Sequence, residues 1–199
     1  QGAKLVKTVH FYKNYTNAIL YHHTHWSELI QLNISQETMR DANIILLVDR
    51  VDALKAQSKS VDEIVDILKT QKDKMFSASL VDTFIEISKP NSFWLYQENS
   101  NLEMFLQEWI DQDIEKQYEY KYIKQIAYMF ANIVDSKSTF TGEHSLNVSK
   151  VALYLGKKFN LNDNQLEILE LAALLHDLGK LRVSDVILEK KGPLNEEER

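Results

Sequence analysis

The feature that most restricts this chain is its poverty in residues that bend a backbone: 199 residues carry only five glycines and two prolines. Sheets need frequent tight turns, and those turns draw heavily on glycine and proline. An all-β sandwich or a doubly wound α/β sheet is therefore disfavoured. From Leu102 to Val134 neither residue occurs. Over that stretch apolar side chains recur at helical spacing through Phe105, Leu106, Trp109, Ile110, Ile123, Ile126, Ala127, Phe130 and Ile133. The expected fold is an all-α helical bundle of about eight helices, with one long helix, or two with a kink near Gln117, linking its halves.

The remaining helices announce themselves by their caps. One is expected over residues 12 to 26, with Tyr12, Ala18, Ile19 and Tyr21 on its apolar side and His22-His23-Thr24-His25-Trp26 at its end. Ser35 caps a stronger one, striped by Met39, Ala42, Ile45, Leu46, Val48, Val51 and Leu54 with Asp49 and Asp52 embedded. Ser60 and Glu63 form a capping box ahead of Ile64, Ile67 and Leu68. Leu80, Val81, Phe84, Ile85 and Ile87 mark a further helix that Lys89-Pro90 ends. After a polar loop from Ser136 to Gly142, the residues His144, Val148, Val151, Ala152 and Leu155 outline another. Asn162 and Gln165 cap a last one, almost solid with apolar residues from Leu166 to Leu175 and expected to end at Gly179. The aromatic runs at Phe93-Trp94-Leu95-Tyr96 and from Tyr118 to Tyr122 read as packing.

Composition removes several function classes. There is no cysteine, so disulfides, cysteinyl zinc sites and thiol chemistry are excluded and any metal must be held by nitrogen and oxygen. The 29 acidic and 23 basic residues leave a net charge of -6, without a long basic run. A nucleic-acid polymer or an anionic membrane surface is a poor partner for such a chain. No apolar stretch approaches the roughly 20 residues that cross a bilayer, so no membrane insertion is expected and a cytoplasmic protein is. The opening residues Gln1-Gly2-Ala3-Lys4-Leu5-Val6 read as the middle of an element, and Asn195 with the three glutamates after it reads as the start of one. Both ends suggest a piece of a longer protein.

The chemistry concentrates at Leu174-Leu175-His176-Asp177-Leu178-Gly179-Lys180. Here two ionisable side chains close a helix so apolar that burial is expected, which costs several kcal/mol unless they pair or bind metal. An imidazole beside a carboxylate supplies one terminal ligand and one that can bridge two cations, as a dinuclear hydrolytic centre requires. Lys180, one turn on, can hold a phosphate oxygen as a point charge. The alternative is a helix-end hydrogen-bonded pair with no ligand role, and the residues alone leave both open.

The segment with Asp135-Ser136-Lys137, Phe140-Thr141-Gly142-Glu143-His144-Ser145, Ala172 to Lys180, and Ile187-Leu188-Glu189-Lys190-Lys191-Gly192-Pro193-Leu194 resembles the HD-GYP family of HD-superfamily metal-dependent phosphohydrolases. The resemblance implies an all-α fold and hydrolysis of cyclic dinucleotides, chiefly cyclic di-GMP, at two or three iron or manganese ions. It makes His144, His176 and Asp177 metal ligands, Asp177 bridging and so also catalytic, and Lys180 the lysine that contacts the scissile phosphate. The family's later histidines and its Gly-Tyr-Pro motif do not occur between Lys180 and Arg199, so the chain alone is expected to be inactive.

A second resemblance lies at the other end. Gly2-Ala3-Lys4-Leu5, Ile19-Leu20-Tyr21-His22-His23 and Val48-Asp49-Arg50-Val51-Asp52-Ala53-Leu54 look like the later part of an HD-GYP domain, with His22, His23 and Asp49 at ligand positions. Thr24 stands where the family has glutamate, no Gly-Tyr-Pro precedes Asp49, and no Arg-Pro-Tyr follows Leu54. This copy therefore looks degenerate. From the residues alone His22 and His23 read rather as ordinary histidines at an aromatic helix end, and Asp49 is equally readable as a satisfied carboxylate whose neighbours Ile45 and Ala53 favour burial.

The implied organisation is the rear part of a degenerate HD-GYP-like domain over 1–100, a connecting helix over 101–135, and the front part of a second domain over 136–199. The function expected is that of a metal-dependent phosphodiesterase in bacterial signalling. The alternative is a signalling or scaffolding module that has kept the fold and lost activity. A composite site, joining His22, His23 and Asp49 to His144, His176, Asp177 and Lys180, is a further expectation, within one chain or across a homodimer.

Overall fold

A computed structural model describes residues 2–95, 107, 119–137 and 143–196. Among the described residues there are eleven α-helices, two 3-10 helices and no strand, with a lone bridge between Lys72 and Phe76. The all-α expectation holds. The helix count exceeds the expected eight because several pieces are a single turn long. The chain divides into two compact units, residues 1–4 with 14–117 and residues 5–13 with 118–199.

The short α1 (Gly2–Val6) and a 3-10 helix (His10–Tyr15) open the chain. In the first unit α2 (Thr16–Tyr21), α3 (Trp26–Leu29), α4 (Gln36–Ala56), α5 (Val61–Thr70), α6 (Ala78–Ile87) and α7 (Asn91–Leu95) follow. The single helix expected over 12–26 is broken. At its far end the Trp26 and Ser27 amides donate to the carbonyls of Met75 and Lys74 at 3.0 and 2.9 Å, and His25 is extended, so the backbone leaves helical geometry to bond a distant loop. Ser35, Ser60 and Ser77 each cap a helix through the side-chain oxygen, and Ser60 with Glu63 completes the expected capping box.

The first unit's main core is Leu46, Leu47, Val51, Leu54, Ile64, Leu68, Phe76, Val81 and Phe84. The expected α4 stripe is corrected at one residue and extended by two: Val48 is exposed, while Leu47 and Asn43, outside the stripe, are buried. Asn43 is tolerated inside because its amide group donates to the Met75 carbonyl at 2.9 Å and accepts from the Ser77 amide at 3.0 Å, pinning the loop before α6.

The second unit is built on α8 (Tyr120–Lys137), α9 (His144–Lys158) and α10 (Asp163–Leu175), then a 3-10 helix (Leu178–Arg182) and α11 (Asp185–Leu188). Phe105, Leu106, Trp109 and Ile110 of the expected connecting helix lie outside the described residues, as do Phe140, Thr141, Gly142 and the glutamates after Glu196. Small residues let the helices approach closely. Ala127 and Ala131 of α8 pack on Leu174 of α10. Gly156 of α9 faces α10 so tightly that an added Cβ would lie 2.8 Å from Leu166 and 3.0 Å from Leu169. Just past α9 the backbone reverses through Asn160 at φ +56°. The Leu161 amide bonds to Gly156 and the Asn160 amide to Lys157, a Schellman closure.

Helix α10 is less buried than its composition suggests. Glu170, Ala173 and Leu174 are its buried residues, whereas Ile168 is 65% exposed. The helix also stops at Leu175 and not at Gly179, which sits in the 3-10 helix with no left-handed cap. The buried Glu170 is matched by Lys124 at 2.7 Å and by the hydroxyl of Tyr120, both on α8. Burial, together with the Glu170 carboxylate, raises the Tyr120 phenol above its ordinary value.

Candidate metal centre

Three ligand atoms, one each from His144, His176 and Asp177, lie within 4.8 Å of one another, the one such group among the described residues. Each side chain arrives by a different local route. His144 is the first residue of α9. His176 is the C-cap of α10 and Asp177 the residue that leads into the 3-10 helix. His144 Nε2 stands 3.8 Å and His176 Nε2 3.3 Å from Oδ2 of Asp177, so the carboxylate lies between two imidazoles. The two rings are 5.4 Å apart between centroids.

His176 Nδ1 is 2.9 Å from the Ala173 carbonyl. A carbonyl only accepts, so this contact puts the proton on Nδ1 and leaves the Nε2 lone pair on the side of Asp177. That is the tautomer a metal-ligating histidine needs, held by the backbone of its own helix. Lys180 Nζ donates to Asp177 Oδ2 at 2.6 Å. Burial alone would raise the Asp177 carboxyl, but the Lys180 hydrogen bond and the electrostatic pull of the His176, Lys180 and His144 side chains outweigh it and hold the group below the ordinary carboxylate value. Asp177 is thus kept as the anion a cation requires. Two imidazole nitrogens and one carboxylate oxygen on a half-exposed face suit a divalent transition ion.

His22, His23 and Asp49 lie in the first unit and are not members of this group. His22 is the C-cap of α2, with Nδ1 2.6 Å from the Ile19 carbonyl, and its ring stacks at 3.8 Å on that of His23. Asp49 is exposed on α4. The expected burial is corrected: Ile45 and Ala53, one turn to either side, are themselves only half-buried, and the α4 core side runs through Leu46, Leu47 and Val51.

Sequence reasoning gave no role to Asp135. It is buried at the end of α8 and accepts from both the amide of Ser145, at 3.0 Å, and its hydroxyl, at 2.7 Å. The available signal was its place in Asp135-Ser136-Lys137, the first of the segments that carry the family resemblance.

A metal-compatible His-His-Asp group at the meeting of three helices defines a class, and the sequence agrees: residues 141–199 match the HD domain family, so an HD domain is present in the second unit. The relatives are more particular. Over 196 residues the chain is 34% identical to 3'3'-cGAMP-specific phosphodiesterase 1 of Vibrio cholerae serotype O1, covering 92% of this chain and 45% of that protein. Over 77 residues it is 42% identical to 3'3'-cGAMP-specific phosphodiesterase 3 of the same organism, covering 39% of this chain and 17% of that one. Over 68 residues it is 32% identical to the cyclic di-GMP phosphodiesterase response regulator RpfG of Xanthomonas campestris pv. campestris, covering 34% and 18%. A crystal structure of a cyclic GMP-AMP specific phosphodiesterase of V. cholerae superposes with a TM-score of 0.69 at 24% identity, over 99% of this chain and 48% of that one, a likeness of fold. The chain spans less than half the length of each of these proteins.

Proposed function

We propose that this chain is part of a metal-dependent phosphodiesterase that hydrolyses a 3'-5' linkage of a cyclic dinucleotide. The observation that carries the reading is the His144, His176 and Asp177 group, with the Nδ1 proton of His176 fixed by Ala173 and Asp177 held ionised beside Lys180. His144, His176 and Asp177 would hold divalent iron or manganese. The metal supplies Lewis acidity at the phosphoryl group when bound. The chain's own part is to orient the His176 imidazole through the Ala173 carbonyl and to place the Lys180 ammonium where a phosphoryl oxygen can take it up from Asp177.

Among cyclic dinucleotides, 3'3'-cGAMP is proposed ahead of cyclic di-GMP, because the relative that aligns along most of the chain is a cGAMP-specific enzyme. The alignment over 92% of the chain also supports reading the first unit as an HD-GYP-like domain whose ligand positions have diverged. No helix among the described residues is long and apolar enough to cross a membrane.

The test is to load the full-length protein with Mn²⁺ or Fe²⁺ and follow conversion of 3'3'-cGAMP and cyclic di-GMP to linear dinucleotides. Turnover of 3'3'-cGAMP that disappears in Asp177→Ala, together with metal retention, is the expected result. A metal-loaded protein that cleaves neither ligand would refute the reading in favour of a binding or scaffolding module.

A further inference from the structure

The geometry points to Asp135 as a positioning residue that sets the metal ligand His144, an inference that rests on reading the His144, His176 and Asp177 group as a metal centre. The need for such a residue is visible in α9 itself. Its first residue is His144, yet its N-cap, Glu143, makes no side-chain capping bond. The opening amides of a helix need acceptors, and a helix end without them frays. Asp135 supplies the missing cap from another helix. Its two carboxylate oxygens take the amide and the hydroxyl of Ser145, the residue after His144, at 3.0 and 2.7 Å.

Both partners are buried, Asp135 at 4% exposure and Ser145 at 0%, so the two bonds form where water does not compete. A bidentate hold on the neighbouring residue fixes the direction in which the His144 side chain leaves the backbone. The negative charge also sits at the positive end of α9. Two residues on, Lys137 of the same helix donates to the carbonyl of Val183 at 2.8 Å and lies 3.5 Å from the Asp185 carboxylate. The last turn of α8 therefore holds the start of α9 on one side and the chain just beyond Lys180 on the other. His144 and Asp177 meet because one rigid helix end is bonded to both of their segments.

The experiment measures Co²⁺ affinity, from the visible absorption of the bound ion, and the thermal midpoint of the metal-free full-length protein. The variants are Asp135→Ala, Ser145→Ala, and Tyr120→Phe as a control that loses a buried bond to Glu170 in the same unit. Asp135→Ala should weaken Co²⁺ binding roughly 10- to 100-fold, the effect usual for an outer partner of a ligand. Ser145→Ala keeps the amide bond and should lose less. Tyr120→Phe should lower the thermal midpoint with Co²⁺ affinity unchanged. If Asp135→Ala weakens Co²⁺ no more than Tyr120→Phe does, or if Ser145→Ala is without effect, the positioning role is overturned. A wild-type protein that takes up no Co²⁺ refutes the metal centre itself, and the proposal falls with it for that separate reason.

Discussion

His144 Nε2 faces Asp177 Oδ2 across 3.8 Å, although one residue begins α9 and the other follows the end of α10. The separation is too long for a strong hydrogen bond and suited to an ion seated between the two groups. His144→Ala and His176→Ala should each weaken Mn²⁺ binding by more than the roughly 10- to 100-fold expected for an outer partner. The double variant should lose less than the product of the two, because one centre cannot be lost twice. Calorimetric titration reads both, and fully multiplicative losses would place the histidines in separate sites.

Leu174 is 2% exposed and packs on Ala127 and Ala131, whereas Leu171 is only half-buried. Leu174→Ala should cost roughly 2 to 5 kcal/mol in denaturant unfolding, and Leu171→Ala distinctly less. Equal costs would mean that α10 is rotated from the orientation described.

At Gly156 the room between α9 and α10 is already filled by Leu161, Leu166 and Leu169, whose methyl groups come within 3.2, 2.8 and 3.0 Å of an added Cβ. Gly156→Val should destabilise the protein by roughly 1 to 3 kcal/mol, the usual cost of overpacking. The thermal midpoint of the second unit is the readout, and an unchanged midpoint would show that the leucines yield freely.

Glu63 gives a pH test. The hydrogen bond from Lys59, then those from the backbone and side chain of Ser60, lower its carboxyl from 4.5 to about 2. A group whose pKa falls on folding stabilises the folded form above its unfolded value, and that contribution is lost as pH falls through the folded value. The difference in thermal midpoint between wild type and Glu63→Gln should therefore be full above 4.5 and vanish by about pH 2. A difference that persists unchanged at pH 2 would rule out the ionised carboxylate as its source.

Much of this protein is legible in residue order. The caps at Ser35, Ser60 and Asn162 lie where they are expected, because a capping bond joins residues three positions apart and needs nothing from the rest of the chain. The all-α class follows from the same local logic, since a backbone with so few glycines and prolines has little means of turning except at helix ends. His176, Asp177 and Lys180 are legible for the same reason, being neighbours on one segment.

What residue order does not contain is which faces meet. Asp49 and Val48 are exposed and Leu47 is buried, because the face of α4 that goes inside is chosen by the helices packed on it, α2 foremost, and not by its own periodicity. The break before Trp26 depends on loop carbonyls at Lys74 and Met75 that are remote in the chain. The approach of His144 to Asp177, and the buried bonds from Asp135 to Ser145 beside it, exist only once α8, α9 and α10 are packed together. Local hydrogen bonds set the ends of the helices. The site is made by contacts between helices, whose energies depend on distance in space and not on distance along the chain.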